Sequence, residues 1–292
     1  MSQKALKKRK LKFSKIIIIL ILLLTSVLLW SRYISTQGLI IKEYKVENKS
    51  LPLSFHGFKI VHISDIHYGR TVKEDHLINL VENINLINPD IVVFTGDLID
   101  KSFLLDKKTK NKIINILSKI NTYYGKYAIS GNHDLYFKEY NDILEKSNFI
   151  NLNNNFDIIY NHQYESLFLA GLESEIKGNP DISKIMDHFT DEEGVTTFNF
   201  PYKILIMHTP DTFDKIKNYN FDLVLAGHSH NGQIRLPYIG PIMKFEGSKK
   251  YYEPFYKINT TNFFISGGIG TTIVNFRFFN KPSFNFYRLT KK

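Results

Sequence analysis

Cysteine is absent from the 292 residues. That absence excludes structural disulfides, thiolate metal sites and cysteine nucleophiles, and it leaves the redox compartment open. Any metal must be held by imidazole, carboxylate, amide or backbone oxygen. Acidic residues are missing from the first fifteen positions, which carry Lys4, Lys7, Lys8, Arg9, Lys10, Lys12 and Lys15. Seven of the ten units of net positive charge lie in this tail, so the remainder is near balance. The basic stripe of a nucleic-acid surface is lacking there, and no nucleic-acid partner is expected. Internal repeats are lacking too. What the chain has in quantity is apolar: 43% hydrophobic and 14% aromatic residues supply a sizeable core and exclude disorder.

The longest uncharged run is IIIILILLLTSVLLW, residues 16–30. Extended from Phe13 to Tyr33 it reaches the roughly 20 residues that cross a bilayer, with Lys15 and Arg32 snorkelling to the two interfaces. A cleaved signal peptide is the rival reading, but bulky Leu28, Leu29 and Trp30 end the run where a small-residue cleavage site is needed. A buried soluble helix is the third. The charge asymmetry puts the tail inside. The expected organisation is a basic cytoplasmic tail (1–15), a single membrane anchor (16–34), a juxtamembrane linker (35–56) and a folded extracytoplasmic domain (57–292). A strand over Leu39 to Val46 is possible within the linker.

From Phe58 onward, short apolar runs end in clusters of metal-capable residues. KIVHI leads into Asp65 and His67, IVVF into Asp97, KYAI into Asn132, His133 and Asp134, KILIM into His208, and LVLA into His228 and His230. Runs this short suit strands buried on both faces. Between them, residues 75–88 and 105–122 carry apolar residues at helical spacing, the first closed by Pro89. Alternating strands and helices indicate an α/β domain with much parallel sheet, whose ligand site lies beyond the carboxyl ends of the strands.

In an extended segment residues two apart share a side, so Asp65 with His67, and His228 with His230, are expected to converge. Glycines 96, 131 and 227 are expected to let the chain turn where strands end. Imidazole, carboxylate and amide donors without thiolate suit zinc, manganese or iron. Two such ions sit about 3.5–4 Å apart and need a bridging ligand, for which Asp97 is the candidate. The pair would acidify a shared water for in-line attack on phosphorus. One loop histidine alone is ordinarily structural; five strand ends delivering these residue types together are not. His56, His62, His76, His162 and His188 lack such placement and are expected to be structural.

The ordered series D-I-H, G-D-L-I-D, G-N-H-D, H-T-P and G-H-S-H resembles the calcineurin-like metallophosphoesterase superfamily over residues 58–290. DLVLAGHSHNGQIRLPYIGP and FFISGGIGTTIVNFRFFNKP look like its membrane-associated bacterial YkuE and YaeI type branch. The resemblance implies a four-layer α/β/β/α sandwich with two mixed sheets. It also implies that Asp65, His67 and His230 hold one divalent metal ion and that Asn132, His208 and His228 hold a second, with Asp97 bridging. His133 would face the phosphate as general acid or transition-state stabiliser. Asp100 and Asp134 would orient ligand histidines, although Asp100 serves equally well as a cap. Asn231, where the branch often has glycine, and Tyr68 depart from the pattern without touching a ligand.

The function implied is hydrolysis of a phosphate ester or pyrophosphate, with Mn2+, Zn2+ or Fe2+ as cofactors. Lipid-linked substrates such as UDP-2,3-diacylglucosamine are implied by the branch, and soluble or nucleotide phosphates are the alternative. A non-catalytic scaffold is disfavoured because every expected ligand is present. Tyr251, Tyr252, Phe255, Tyr256, Phe276, Phe278 and Phe279 could offer an acyl-chain surface, with ordinary packing the stronger reading.

Overall fold

The computed structural model describes residues 3–161, 165–190 and 199–292, so His162 lies outside the described residues. Strands follow in chain order as β1 (Ile40–Asn48), β2 (Lys59–Ile63), β3 (Ile91–Phe94), β4 (Gly125–Ala128), β5 (Phe149–Asn151), β6 (Asn155–Tyr160), β7 (Ser166–Gly171), β8 (Lys203–Met207) and β9 (Leu223–Ala226). The last five are β10 (Arg235–Leu236), β11 (Gly240–Pro241), β12 (Phe255–Ile258), β13 (Thr261–Ile265) and β14 (Ser283–Lys291). One mixed six-stranded sheet runs β1-β14-β2-β3-β4-β5 and a second runs β12-β13-β9-β8-β7-β6. β2 to β5 are parallel, as are β7, β8, β9 and β13, while β14 enters antiparallel to β2.

Period-two alternation builds the layers. Ile60, Ile91 and Val93 of the first sheet meet Leu169, Ile204, Ile206, Leu223 and Leu225 of the second in one inter-sheet core. The alternate residues Val61, Ile63, Val92 and Phe94 face helices α2 (Glu74–Ile87), α3 (Lys107–Leu117) and α4 (Tyr140–Lys146). Leu205, Met207, Val224 and Ala226 face the short helices α5 (Ser183–Met186) and α6 (Phe213–Ile216). The architecture is the four-layer α/β/β/α sandwich expected.

Helix α2 buries Leu77, Leu80, Val81 and Ile84, and Asn88 closes it in the left-handed region at φ 51°. Helix α3 starts two residues after Leu105 because the Asp106 carboxylate accepts the Thr109 amide at 2.6 Å. It ends at Leu117, five residues short of Thr122.

The expected 35–56 linker is corrected by the sheet. The strand foreseen over Leu39 to Val46 is β1, paired in parallel with β14 along nine residues. Leu51 and Phe55 then enter the inter-sheet core, so the domain takes in the chain from Ile40 onward. Before it, α1 (Gln3–Leu29) takes in the basic tail and most of the apolar run in one helix, followed by a π turn, Trp30–Ile34. Residues Lys10–Ile34 are long and apolar enough to cross a membrane, and their most apolar stretch is not buried by the domain. The exit turn is docked: Ser31, Ser35 and Thr36 are buried, and the Arg277 amide donates to the Ser31 carbonyl at 3.1 Å.

Leu169→Ala removes a fully buried side chain between the two sheets, far in sequence from every site residue. The substitution is expected to lower stability by about 2–5 kcal/mol, read from urea denaturation of the full chain, with bound metal unchanged under native conditions.

Candidate active site

All five strand ends open on one region between the sheets. The expected extended geometry of the paired ligands is not what forms there. Asp65, His67, Asp97, His228 and His230 all have left-handed backbone, with φ of 51°, 46°, 60°, 63° and 47°. Such residues cost about 1–3 kcal/mol each and persist only when their surroundings hold them. Here the Asp65 amide donates to Gly96 O (2.9 Å), the His67 amide to Asp97 O (3.0 Å) and the His228 amide to Asp65 Oδ2 (2.9 Å). The tight coil still turns both members of each pair inward. Gly131 and Gly227 serve close approach rather than a positive φ. A Cβ on Gly131 would strike the Asp97 carboxylate and lie 2.7 Å from His208 Cε1; one on Gly227 would strike Ser64 Oγ.

Three groups of donors result among the described residues. Asp65, His67 and His230 form the first, Asp97, His208 and His228 the second, and His67 with Asp100 and His133 a third that overlaps the first. His67 Nε2 lies 3.2 Å from His230 Nε2, and His230 Nε2 lies 3.5 Å from Asp65 Oδ1. In the second group His208 Nε2 is 3.2 Å from His228 Nδ1 and 3.1 Å from Asn132 Oδ1. Asp97 Oδ2 lies between the groups, 3.5 Å from His67 Nε2 and 3.4 Å from His208 Nε2. Its other oxygen is taken by the His133 amide at 2.8 Å.

The outer hydrogen bonds fix the tautomers. His208 Nδ1 lies 2.6 Å from the Thr95 carbonyl, so it donates there and Nε2 is the nitrogen turned to the centre. His228 Nε2 lies 2.6 Å from the Glu246 carbonyl, which leaves the lone pair on Nδ1. His208 Nε2 and His228 Nδ1 thus face each other across 3.2 Å, both turned to the centre beside Asp97 Oδ2. A divalent cation would replace the proton that Asp97 favours on His208, and the imidazole, carboxylate and amide donors fit such an ion.

Burial together with neighbouring His208 pushes the His228 pKa down to about 3, keeping the ring neutral as a ligand must be. Burial opposes charge on His208 as well, but the Asp97 carboxylate outweighs it and lifts the pKa to about 9. A cation in the centre would take over that stabilising of Asp97.

Asp100 caps its own turn and stands beside one ligand histidine without a hydrogen bond to it. Its Oδ1 accepts the Ser102 amide at 3.0 Å, and Oδ2 faces His67 Nδ1 at 3.6 Å and Arg70 Nη1 at 3.5 Å. Asp134 differs from expectation. It touches no ligand histidine; its carboxylate accepts the amides of Asp97 (2.6 Å), Leu98 (2.8 Å) and Gly131 (2.9 Å). It holds the backbone of the Asp97 loop. His133 lies against the first group, its ring centroid 4.5 Å from that of His67. Its Nδ1 accepts the Lys101 amide at 3.1 Å, so the proton sits on Nε2. Burial lowers its pKa to about 4, and the ring is neutral.

The described histidines expected to be structural are so placed. His62 is buried between Tyr287 Oη and Thr95 Oγ1, from which Thr95 donates to Ser64 and Ser64 to Asp65 Oδ2 at 2.5 Å. His56 accepts the Lys291 amide, His76 lies beside Asp75 and Gln37, and the His188 ring meets Phe156. The sequence reading missed Arg277. Among the described residues this buried guanidinium forms no ion pair with a carboxylate, and it spends its donors on the carbonyls of Gly267, Gly268, Gly270 and Asn280, with Nη2 3.5 Å from His230 Nδ1. Asn280 donates to the His230 carbonyl at 2.6 Å. Carbonyl acceptors have no side-chain signature, and only an unpaired Arg amid glycines hints at such a strap. Above the metal groups opens a cavity of about 260 Å³, lined by Asn132, His133, Lys101, Phe245 and Ile273 among others.

Two histidine–carboxylate groups joined by one carboxylate oxygen, at the strand ends of a double-sheet sandwich, define a metal-dependent hydrolase of phosphoric esters. The family model for calcineurin-like phosphoesterases matches residues 58–232, and the chain belongs to that family. The Bacillus subtilis metallophosphoesterase YkuE is 30% identical over 263 residues, covering 89% of this chain and 88% of its own. The UDP-2,3-diacylglucosamine pyrophosphatase LpxG of Chlamydia trachomatis is 28% identical, over 65% of this chain and 70% of its own. Among solved structures, a dimetal phosphatase from Danio rerio aligns with a TM-score of 0.41 and 12% identity, over 73% of this chain and 88% of that one.

Gly131→Ala drives a methyl group into Asp97 and His208. Bound metal, counted by plasma mass spectrometry after desalting, is expected to fall well below that of the unaltered chain while circular dichroism stays unchanged. Equal metal content in the two would contradict the packing described.

Proposed function

We propose that the chain is a membrane-anchored, dinuclear phosphoesterase acting on the phosphate ester or pyrophosphate of a lipid-linked substrate. Asp65, His67 and His230 hold one divalent ion, Asn132, His208 and His228 hold the second, and Asp97 bridges them. The observation that carries this reading is the position of Asp97 Oδ2, within 3.5 Å of imidazole nitrogens from both groups. Mixed nitrogen and oxygen donors without thiolate suit manganese, zinc or iron.

The ions, when bound, supply an acidified water and Lewis-acid stabilisation of phosphoryl oxygens. The chain supplies the rest. Asp134 and the carbonyls of Thr95 and Glu246 hold the ligands in register, so little reorganisation is needed when substrate arrives. His133 presents an Nε2–H donor toward the cavity from a neutral ring, which supports a stabiliser of developing charge over a general acid. Lys101 adds positive charge at the same wall.

Lipid linkage is supported by the apolar helix α1 and by the relationship to LpxG. With the basic tail inside, the domain faces outward, where cell-envelope lipid phosphates and pyrophosphates are in reach and cytoplasmic UDP-lipids are not. Protease added to intact cells is expected to digest the domain. A protected domain would reverse the topology and restore the UDP-lipid.

The test of the chemistry uses the full chain in vesicles with manganese or zinc, against p-nitrophenyl phosphate, its bis ester and a lipid pyrophosphate. Chelation is expected to abolish turnover, and added metal to restore it. Asp97→Asn is expected to lose about three orders of magnitude in kcat, the several kcal/mol assigned to metal stabilisation. His133→Gln is expected to lose about 10²-fold, as for one oxyanion donor. Undiminished turnover by Asp97→Asn would remove the bridging role.

A further inference from the structure

The β10–β11 hairpin carries Tyr238 and Ile239 at its tip, the first fully exposed and the second 76% exposed. Ile242 follows on the same hairpin, and Phe279 faces the same hollow as Tyr238 and Ile239, 62% exposed. Large apolar side chains held clear of a folded domain mark a contact surface. This patch is tied directly to the end of α1. The Trp30 ring meets the Phe278 ring edge-on at 5.8 Å, and Phe278 meets Phe279 at 4.6 Å. The Arg235 amide donates to the Phe278 carbonyl at 2.9 Å, and Ile234 pairs with Phe278. The Arg277 amide reaches the Ser31 carbonyl of the exit turn. Hairpin, strap and helix exit are thus one contiguous unit.

Building on the anchoring proposed above, we infer that the hairpin tip and Phe279 form a second membrane contact, dipping into the interface of the bilayer that α1 spans. Trp and Tyr favour that depth, and an aliphatic tip beside them buries its surface in the acyl boundary. The strap that carries Phe279 also supplies Thr272 and Ile273 to the mouth of the catalytic cavity and Arg277 behind His230. The contact therefore holds that mouth at the headgroup level. The phosphate of a lipid-linked substrate then enters while its acyl chains stay in the bilayer, consistent with a cavity of only about 260 Å³.

The absence of cysteine makes the test direct. Ile239→Cys, Phe279→Cys and, as the aqueous reference, Leu86→Cys at the far end of α2 are each labelled with an environment-sensitive fluorophore in the full chain. The chains are reconstituted in phosphatidylcholine–phosphatidylglycerol vesicles at low chain-to-lipid ratio. Flotation with the vesicles reports anchoring, and turnover of the soluble bis ester reports an intact site. Labels at 239 and 279 are expected to shift to the blue and to lose quenching by aqueous iodide, while the label at 86 keeps both its emission and its quenching. Floating, active chains whose labels at 239 and 279 quench like that at 86 would overturn the contact and leave the anchor standing. Failure to float would overturn both. Shielding that appears only at high chain-to-lipid ratio would assign the patch to a second copy and overturn the bilayer contact.

Discussion

A single carboxylate oxygen joins the two halves of this molecule. Asp97 follows β3 in the first sheet, whereas His208, His228 and His230 follow β8 and β9 in the second. Its Oδ2 reaches nitrogens from both sheets because the inter-sheet core fixes their separation. A shift of one sheet against the other would break that double contact before it disturbed much apolar burial. The site is thus a readout of the packing, and the packing is as exacting as the site requires.

Holding lone pairs and a carboxylate together in a dry interior runs against their electrostatics. Three devices offset it. Asp65, His67, Asp97 and His228 are clamped in left-handed backbone by amide hydrogen bonds to neighbouring loops. Asp134 gathers three amides of the Asp97 and Gly131 turns. The carbonyls of Thr95 and Glu246 choose which imidazole nitrogen faces the centre. Each constrains the donors through hydrogen bonds of the protein itself.

Much of this was legible in the sequence because apolar runs and metal-capable residues are local signals. The five strand ends, α2 and the donors themselves follow from spacing alone. The extended geometry of the D-x-H and H-x-H pairs did not hold, since spacing of two is equally served by left-handed residues on either side of one with negative φ, and only interloop amide bonds decide between them. The family resemblance implied that Asp134 orients ligand histidines; its partners are backbone amides, which no side-chain pattern reveals. β14 and the Arg277 strap were invisible for the same reason: their roles rest on pairings across more than two hundred residues, such as Tyr287 with Ile60, or on bare carbonyls. The carboxyl-half aromatics divide as well. Tyr251 packs against Phe213 and Phe263 in the core, whereas Phe279 stands exposed beside the hairpin.

The most direct test of the account is anomalous scattering from crystals of the manganese-loaded chain, measured at the manganese edge. Two peaks about 3.5–4 Å apart, on either side of Asp97 Oδ2, are the predicted result. One peak alone, or two that share no oxygen of Asp97, would contradict the dinuclear centre on which the proposed chemistry stands.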